Sequence, residues 1–187
     1  MITEKQEEAI LEFAFQIYES LDYTHGRSHA ERTVTLALHL SQKESADIEI
    51  VRFGALLHQY HPERLGEVES FLRSIELESN LRKPILHCVE CVEPETIRKA
   101  ETIEAKVVFD ADKLQTLGPF GLVREVCYRT NRDGISFEQA VRESEELQLT
   151  MYPLIQTDSG QRYAKELQTE QSSFFETFKA WDLLDFV

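Results

Sequence analysis

The sequence predicts an all-α protein, on three observations. Glycine and proline are scarce, at 7 and 5 of 187 residues, too few for the tight turns of an all-β chain. Apolar residues recur at helical spacing along most of the chain. Capping residues and helix stops fall between those periodic stretches.

The elements follow in order. Thr3-Glu4-Lys5-Gln6 reads as a capping box, in which a side-chain hydroxyl and an amide satisfy orphan N–H groups. Ile10, Phe13, Ala14, Ile17 and Leu21 then share one face, which predicts a helix through about Ser20. Leu21 to Ser28 is a break centred on Gly26, and a second helix begins near His29. A third runs from its N-cap Asp47 to His58, just before the Tyr60-His61-Pro62 stop. Glu63 to Ile75 and Leu81 to Val92 read as the next two.

Pro94 closes that region, and a helix opens after Glu101 with Ile103, Val107, Val108, Ala111, Leu114 and Leu117 inward. Asp110 and Asp112 are embedded in this stripe. Gly118-Pro119 stops one helix and starts another, over Phe120 to Thr130. Asn131 to Gly134 is a turn, Ser136 caps a helix to about Leu149, and Thr157-Asp158-Ser159-Gly160 opens a last one to about Leu184. No repeat or linker interrupts the chain. The expectation is one helical domain over 1–187, with a core at about 21–130 and C-terminal helices at about 136–184 packing on it.

Charge narrows the function. The net charge of -14 argues against extended binding of nucleic acid or an anionic membrane, both of which need clustered Lys and Arg. It leaves room for a small anionic ligand in a local pocket. Three cysteines make a disulfide framework improbable. The polar N-terminus and the lack of an apolar run near the ~20 residues of a membrane span predict a cytoplasmic protein.

Chemistry gathers at three places. His29 opens one helix, His58 closes another and Asp112 lies within a third. Imidazole and carboxylate are the usual ligands of a catalytic divalent ion, and sites between helices draw on such separated positions. Each histidine alone also fits a hydrogen-bonded core residue. A carboxylate in an apolar stripe is harder to explain that way, because burial demands a cation or donors. Cys88-x-x-Cys91 beside His87, with no second pair and no preceding strand, reads as core.

These residues carry a resemblance. His29-x-x-Arg32, Ala55-Leu56-Leu57-His58 and Asp110-Ala111-Asp112-Lys113-Leu114, followed by Gly118, look like the HD-domain superfamily of metal-dependent phosphohydrolases. The match is to its small bacterial single-domain branch. Thr24-His25-Gly26-Arg27-Ser28-His29 and Thr157-Asp158-Ser159-Gly160-Gln161-Arg162 are similar to the entry to that branch's first ligand and to its ending. The resemblance spans nearly the whole chain.

It implies a helical bundle that hydrolyses a small nucleotide-like phosphate ester or anhydride with a divalent ion such as manganese, magnesium or iron. His29, His58 and Asp112 would be the ligands, and Asp110 would support catalysis by orienting a ligand histidine or a water. His25, Arg32 and Lys113 would hold the phosphate. The family's doublet is His-Asp, whereas this chain has His58-Gln59. Gln59 can offer only a neutral carbonyl, and His61 is the first candidate to complete the site in its place. The branch also usually carries aspartate where Gln115 stands. The alternative implied is a protein that keeps the pocket without a competent metal and acts in binding or regulation. Either way the partner is a small phosphorylated ligand, with homo-oligomers left open.

Overall fold

The computed structural model describes residues 1–183. Among them are nine α-helices and no strand, so the chain is all-α as its periodicity predicts. The helices are α1 (Glu4–Tyr18), α2 (Arg27–Glu44), α3 (Ile48–Leu57), α4 (Leu65–Ser74), α5 (Ser79–Glu90), α6 (Ile103–Lys113), α7 (Gly118–Arg132), α8 (Phe137–Met151) and α9 (Asp158–Leu183). None of the described helices is long and apolar enough to cross a membrane.

The chain divides into two compact units. The first comprises Met1–Asp112 with Gln156–Gly160, and the second Lys113–Ile155 with Gln161–Val187. In the first, α3 is the hub, packed against α1, α2 and α5. Every residue from Phe53 to Tyr60 is buried, so the C-terminal half of this helix has no solvent face. Asp47 caps it, its carboxylate accepting from the Glu49 and Ile50 N–H groups at 2.9 and 3.2 Å. Two charged contacts fasten α1 and the N-terminus to α3: Arg52 donates to Glu7 at 2.5 Å and the Ile2 N–H to Glu49 at 2.7 Å.

Past Leu57 the helix tightens into a 3₁₀ turn, His58–Tyr60. Tyr60 anchors this turn by stacking on Phe13 at 4.6 Å between ring centroids and donating its hydroxyl to the Phe13 carbonyl at 2.8 Å. Phe13 stacks in turn on Phe71 of α4.

In the second unit α7 packs on α8. Leu122, Val141 and Phe175 form its apolar centre. Gly118 takes a left-handed φ of 67° and a Cβ there would meet the Leu167 side chain at 2.8 Å, so only glycine suits the position.

Boundaries shift where local chemistry overrides periodicity. The apolar stripe of α6 continues to Leu117, but the helix ends at Lys113 and Leu114–Thr116 forms a 3₁₀ turn. The capping box at Thr3 forms as expected. Ser136 accepts from the Gln139 N–H, and Thr157 caps α9 through the Gly160 N–H at 3.0 Å. Helix α2 opens at Arg27, before His29, so that imidazole lies in its first turn. The expected end of the last helix at Leu184 falls outside the described residues.

Gly54 sets the closeness of α3 to α5. A Cβ there would lie 2.6 Å from the Cys88 Cβ and 2.9 Å from its sulfur, and both elements are buried at this point. Gly54→Ala is expected to lower stability by about 1–3 kcal/mol despite its better helix propensity, read as a shifted denaturant midpoint at unchanged slope.

Candidate metal centre

Three helices deliver the site. His29 comes from the first turn of α2, His58 from the end of α3 and Asp112 from the end of α6. Both histidines are fully buried and Asp112 is 7% exposed. One ligating atom from each lies within 4.8 Å of the others, and no further such cluster occurs among the described residues.

Hydrogen bonding fixes the tautomers. His58 Nδ1 is 2.6 Å from the Ala55 carbonyl oxygen and 3.2 Å from the Tyr18 hydroxyl. That hydroxyl donates to the Leu56 carbonyl at 2.8 Å, so it too presents a lone pair to His58. With two acceptors beside it, Nδ1 carries the proton, and Nε2 turns a lone pair toward His29 and Asp112. His29 Nε2 stands 3.1 Å from His58 Nε2 and 3.2 Å from Asp112 Oδ1. Both neighbours accept, so His29 Nε2 is the donor. Burial, and next the negative charge of Asp112, push the Tyr18 hydroxyl well above its ordinary pKa, which keeps it a neutral donor.

Gln59 joins this cluster with its nitrogen. Its Nε2 is 3.0 Å from His58 Nε2, an acceptor, so the amide N–H faces the ring. The fit to a cation is otherwise good: two imidazoles and a carboxylate, buried, with the His58 ring oriented by a backbone carbonyl as ligating histidines commonly are. A divalent ion would displace the His29 Nε2 proton.

Asp110 occupies another environment. Its two oxygens accept from the Gln156 N–H at 2.8 Å, the Thr157 N–H at 2.8 Å and the Thr157 hydroxyl at 2.6 Å. Burial raises its carboxyl to about 6 against the opposing pull of these donors. It bonds neither histidine, so it does not orient a ligand histidine; its bonds anchor the 156–160 segment. His61 does not reach the cluster either. Its φ of 54° turns the chain, and its ring pairs with Glu93. The candidate replacement for the family's aspartate is thus occupied elsewhere.

His25 lies beside the centre, its ring edge-on to that of His29 at 6.0 Å. It is held by Asp22, whose Oδ2 is 2.9 Å from His25 Nδ1, while Oδ1 accepts from the Thr24 N–H at 2.7 Å and from the Thr24 hydroxyl. Arg32 is half-buried on α2, one turn after His29. Lys113 is half-buried and Gln115 buried, both in the second unit. Cys88 and Cys91 are buried, and burial raises both thiols, Cys91 to about 11; they are core, as their spacing suggests. Tyr18 and the Ala55 carbonyl are the partners that sequence reading missed. Tyr18 is a buried residue near the end of α1 that no local motif marks, and a backbone carbonyl leaves no mark in a sequence.

No family model matches the chain, and no curated protein matches it. Solved structures do. A Lactobacillus plantarum protein superposes with a TM-score of 0.78 at 24% identity, covering 98% of this chain and 100% of its own. Bacillus subtilis YpgQ in complex with ADP gives 0.74 at 22%, covering 90% and 96%. An HD-superfamily hydrolase from Bacillus thuringiensis gives 0.74 at 23%, covering 95% and 98%. The chain therefore has the HD-superfamily fold.

The Asp22 cluster yields a pH test. Burial alone would raise the Asp22 carboxyl, but the bonds from Thr24 and His25 outweigh it and hold the group at about 2, below its ordinary 3.8. A depressed carboxyl stabilises the fold wherever it is ionised, and that contribution fades as pH falls from about 4 toward 2. The stability difference between wild type and Asp22→Asn, from urea melts, should be constant above about pH 5 and shrink steadily as the pH is lowered to 3.

Proposed function

We propose that this protein is an HD-type phosphohydrolase that takes a small nucleotide-like phosphate ester or anhydride, with a divalent ion held by His29, His58 and Asp112. The observation that carries the reading is the convergence of three buried ligating groups from three separate helices within 4.8 Å. Such a gathering of two imidazoles and a carboxylate serves no packing purpose that apolar residues would not serve better. The complex of YpgQ with ADP supports a nucleotide-like ligand for this fold.

A divalent ion at such a centre acidifies water and polarises a phosphoryl oxygen. The chain's own residues set the frame. Tyr18 and the Ala55 carbonyl hold the His58 ring so that Nε2 faces inward. Asp112 supplies the single negative charge. His25, steadied by Asp22, and Arg32 are the groups proposed to receive the phosphate, with charge-assisted bonds about twice as strong as neutral ones.

A second reading is favoured by one specific contact. The Gln59 amide already satisfies His58 Nε2 at 3.0 Å, and His29 satisfies the rest, so the cluster is complete without an ion. In this reading the protein binds a small phosphorylated ligand and does not hydrolyse it.

Metal analysis of protein purified without chelators, run beside phosphate release from ADP and p-nitrophenyl phosphate, separates the two. The hydrolase reading expects about one divalent ion per chain, a melting temperature lowered by chelator, and loss of ion and activity in Asp112→Ala. Ligand binding with no ion and no turnover under any divalent metal would establish the second reading instead.

A further inference from the structure

Gln59 stands next to a metal ligand, yet it opposes the metal. His58 Nδ1 is committed to the Ala55 carbonyl at 2.6 Å, which leaves Nε2 as the only ring atom able to bind an ion. Gln59 Nε2 approaches that same atom at 3.0 Å. Because the ring atom is an acceptor, the amide must present N–H to it, and its carbonyl oxygen points away. Gln59 is 6% exposed, so water does not readily replace this bond. An ion can reach the lone pair only after the amide has rotated.

The same residue sets the charge of the centre. With a neutral amide at 59, Asp112 is the single carboxylate of the cluster, set against two imidazoles. Magnesium and manganese favour several oxygen ligands, while imidazole suits cobalt, nickel and zinc.

We propose that Gln59 is a gating and selectivity residue of this centre: its amide occupies the lone pair an ion needs, and the donor set that remains favours nitrogen-preferring late first-row ions over magnesium and manganese. The inference rests on the reading of His29, His58 and Asp112 as a metal site. It makes two separable claims. Removing the amide relieves a competitor, so Gln59→Ala should bind every ion more tightly, by about tenfold for the loss of one buried hydrogen bond. Restoring a carboxylate changes the ratio between ions, because Gln59→Asp adds a hard, charged oxygen that benefits manganese more than zinc.

The experiment is calorimetric titration of chelator-treated wild type, Gln59→Ala and Gln59→Asp with cobalt, zinc, manganese and magnesium, with Asp112→Ala as the blank. Cobalt visible absorption gives a second readout of ligation. The expected result is a gain of about tenfold for cobalt in Gln59→Ala and a zinc-to-manganese affinity ratio at least about tenfold smaller in Gln59→Asp. Side-chain amide NMR of wild type provides a test that needs no variant to fold: zinc should shift the Gln59 NH₂ resonances as the bond to His58 breaks.

Unchanged or weaker cobalt binding in Gln59→Ala would overturn the gating claim and show that the amide assists the ion. Equal gains for zinc and manganese in Gln59→Asp would overturn the selectivity claim. If no protein, wild type included, takes up any ion above the Asp112→Ala blank, the metal-site reading itself fails.

Discussion

The bond from the His58 ring to the Ala55 carbonyl fixes more of this structure than any other single contact. The C-terminal half of helix α3 is buried on every side, so the group at its end has no access to bulk water and must be satisfied by protein. The last turn of a helix offers carbonyls without intrahelical partners, and His58 Nδ1 takes one of them. That choice decides the tautomer, the tautomer decides which ring nitrogen faces His29 and Asp112, and the cluster follows. Tyr18, reaching over from α1, reinforces the same protonation by presenting its lone pair.

Asp110 and Asp112 show how one helix can serve two purposes with the same side chain. Residues two apart on a helix point roughly 200° away from each other at 3.6 residues per turn. Both carboxylates are buried, but one turns to the histidines and the other to the Gln156–Thr157 backbone. The second holds the chain entry to α9, where Ser159 is also tied, its N–H donating to Glu44 at 2.7 Å. Within one short motif, Asp112 thus meets the histidines and Asp110 the backbone of Gln156 and Thr157.

Much of this was legible in the sequence and some could not be. The helices were visible because periodic apolar faces survive as local patterns. The burial of His29, His58 and Asp112 was foreseeable from a polar residue set in an apolar stripe, and their common destination from the family resemblance. Where the His61 ring goes was not legible, because it lies at the helix end ahead of Pro62, where the chain adopts a left-handed φ and the ring pairs with Glu93. The division into two compact units also left no trace, since the boundary falls inside α6 and its following turn, not in a composition-marked linker. The reach of Tyr18 to His58 and the partner of Asp110, 46 residues away, depend on tertiary placement that no local window contains.

A glutamine beside His58 is consistent with the bonding around it. His58 Nε2 and Asp112 both accept, and His29 supplies one donor between them. A carboxylate at position 59 would add a third acceptor and a second buried negative charge to a centre with a single proton to share, which costs stability unless a cation is present. The glutamine amide supplies the missing donor instead. The wild-type centre is therefore joined by hydrogen bonds among groups from three helices. Gln59 thus satisfies a histidine that is itself fully buried and out of reach of bulk water.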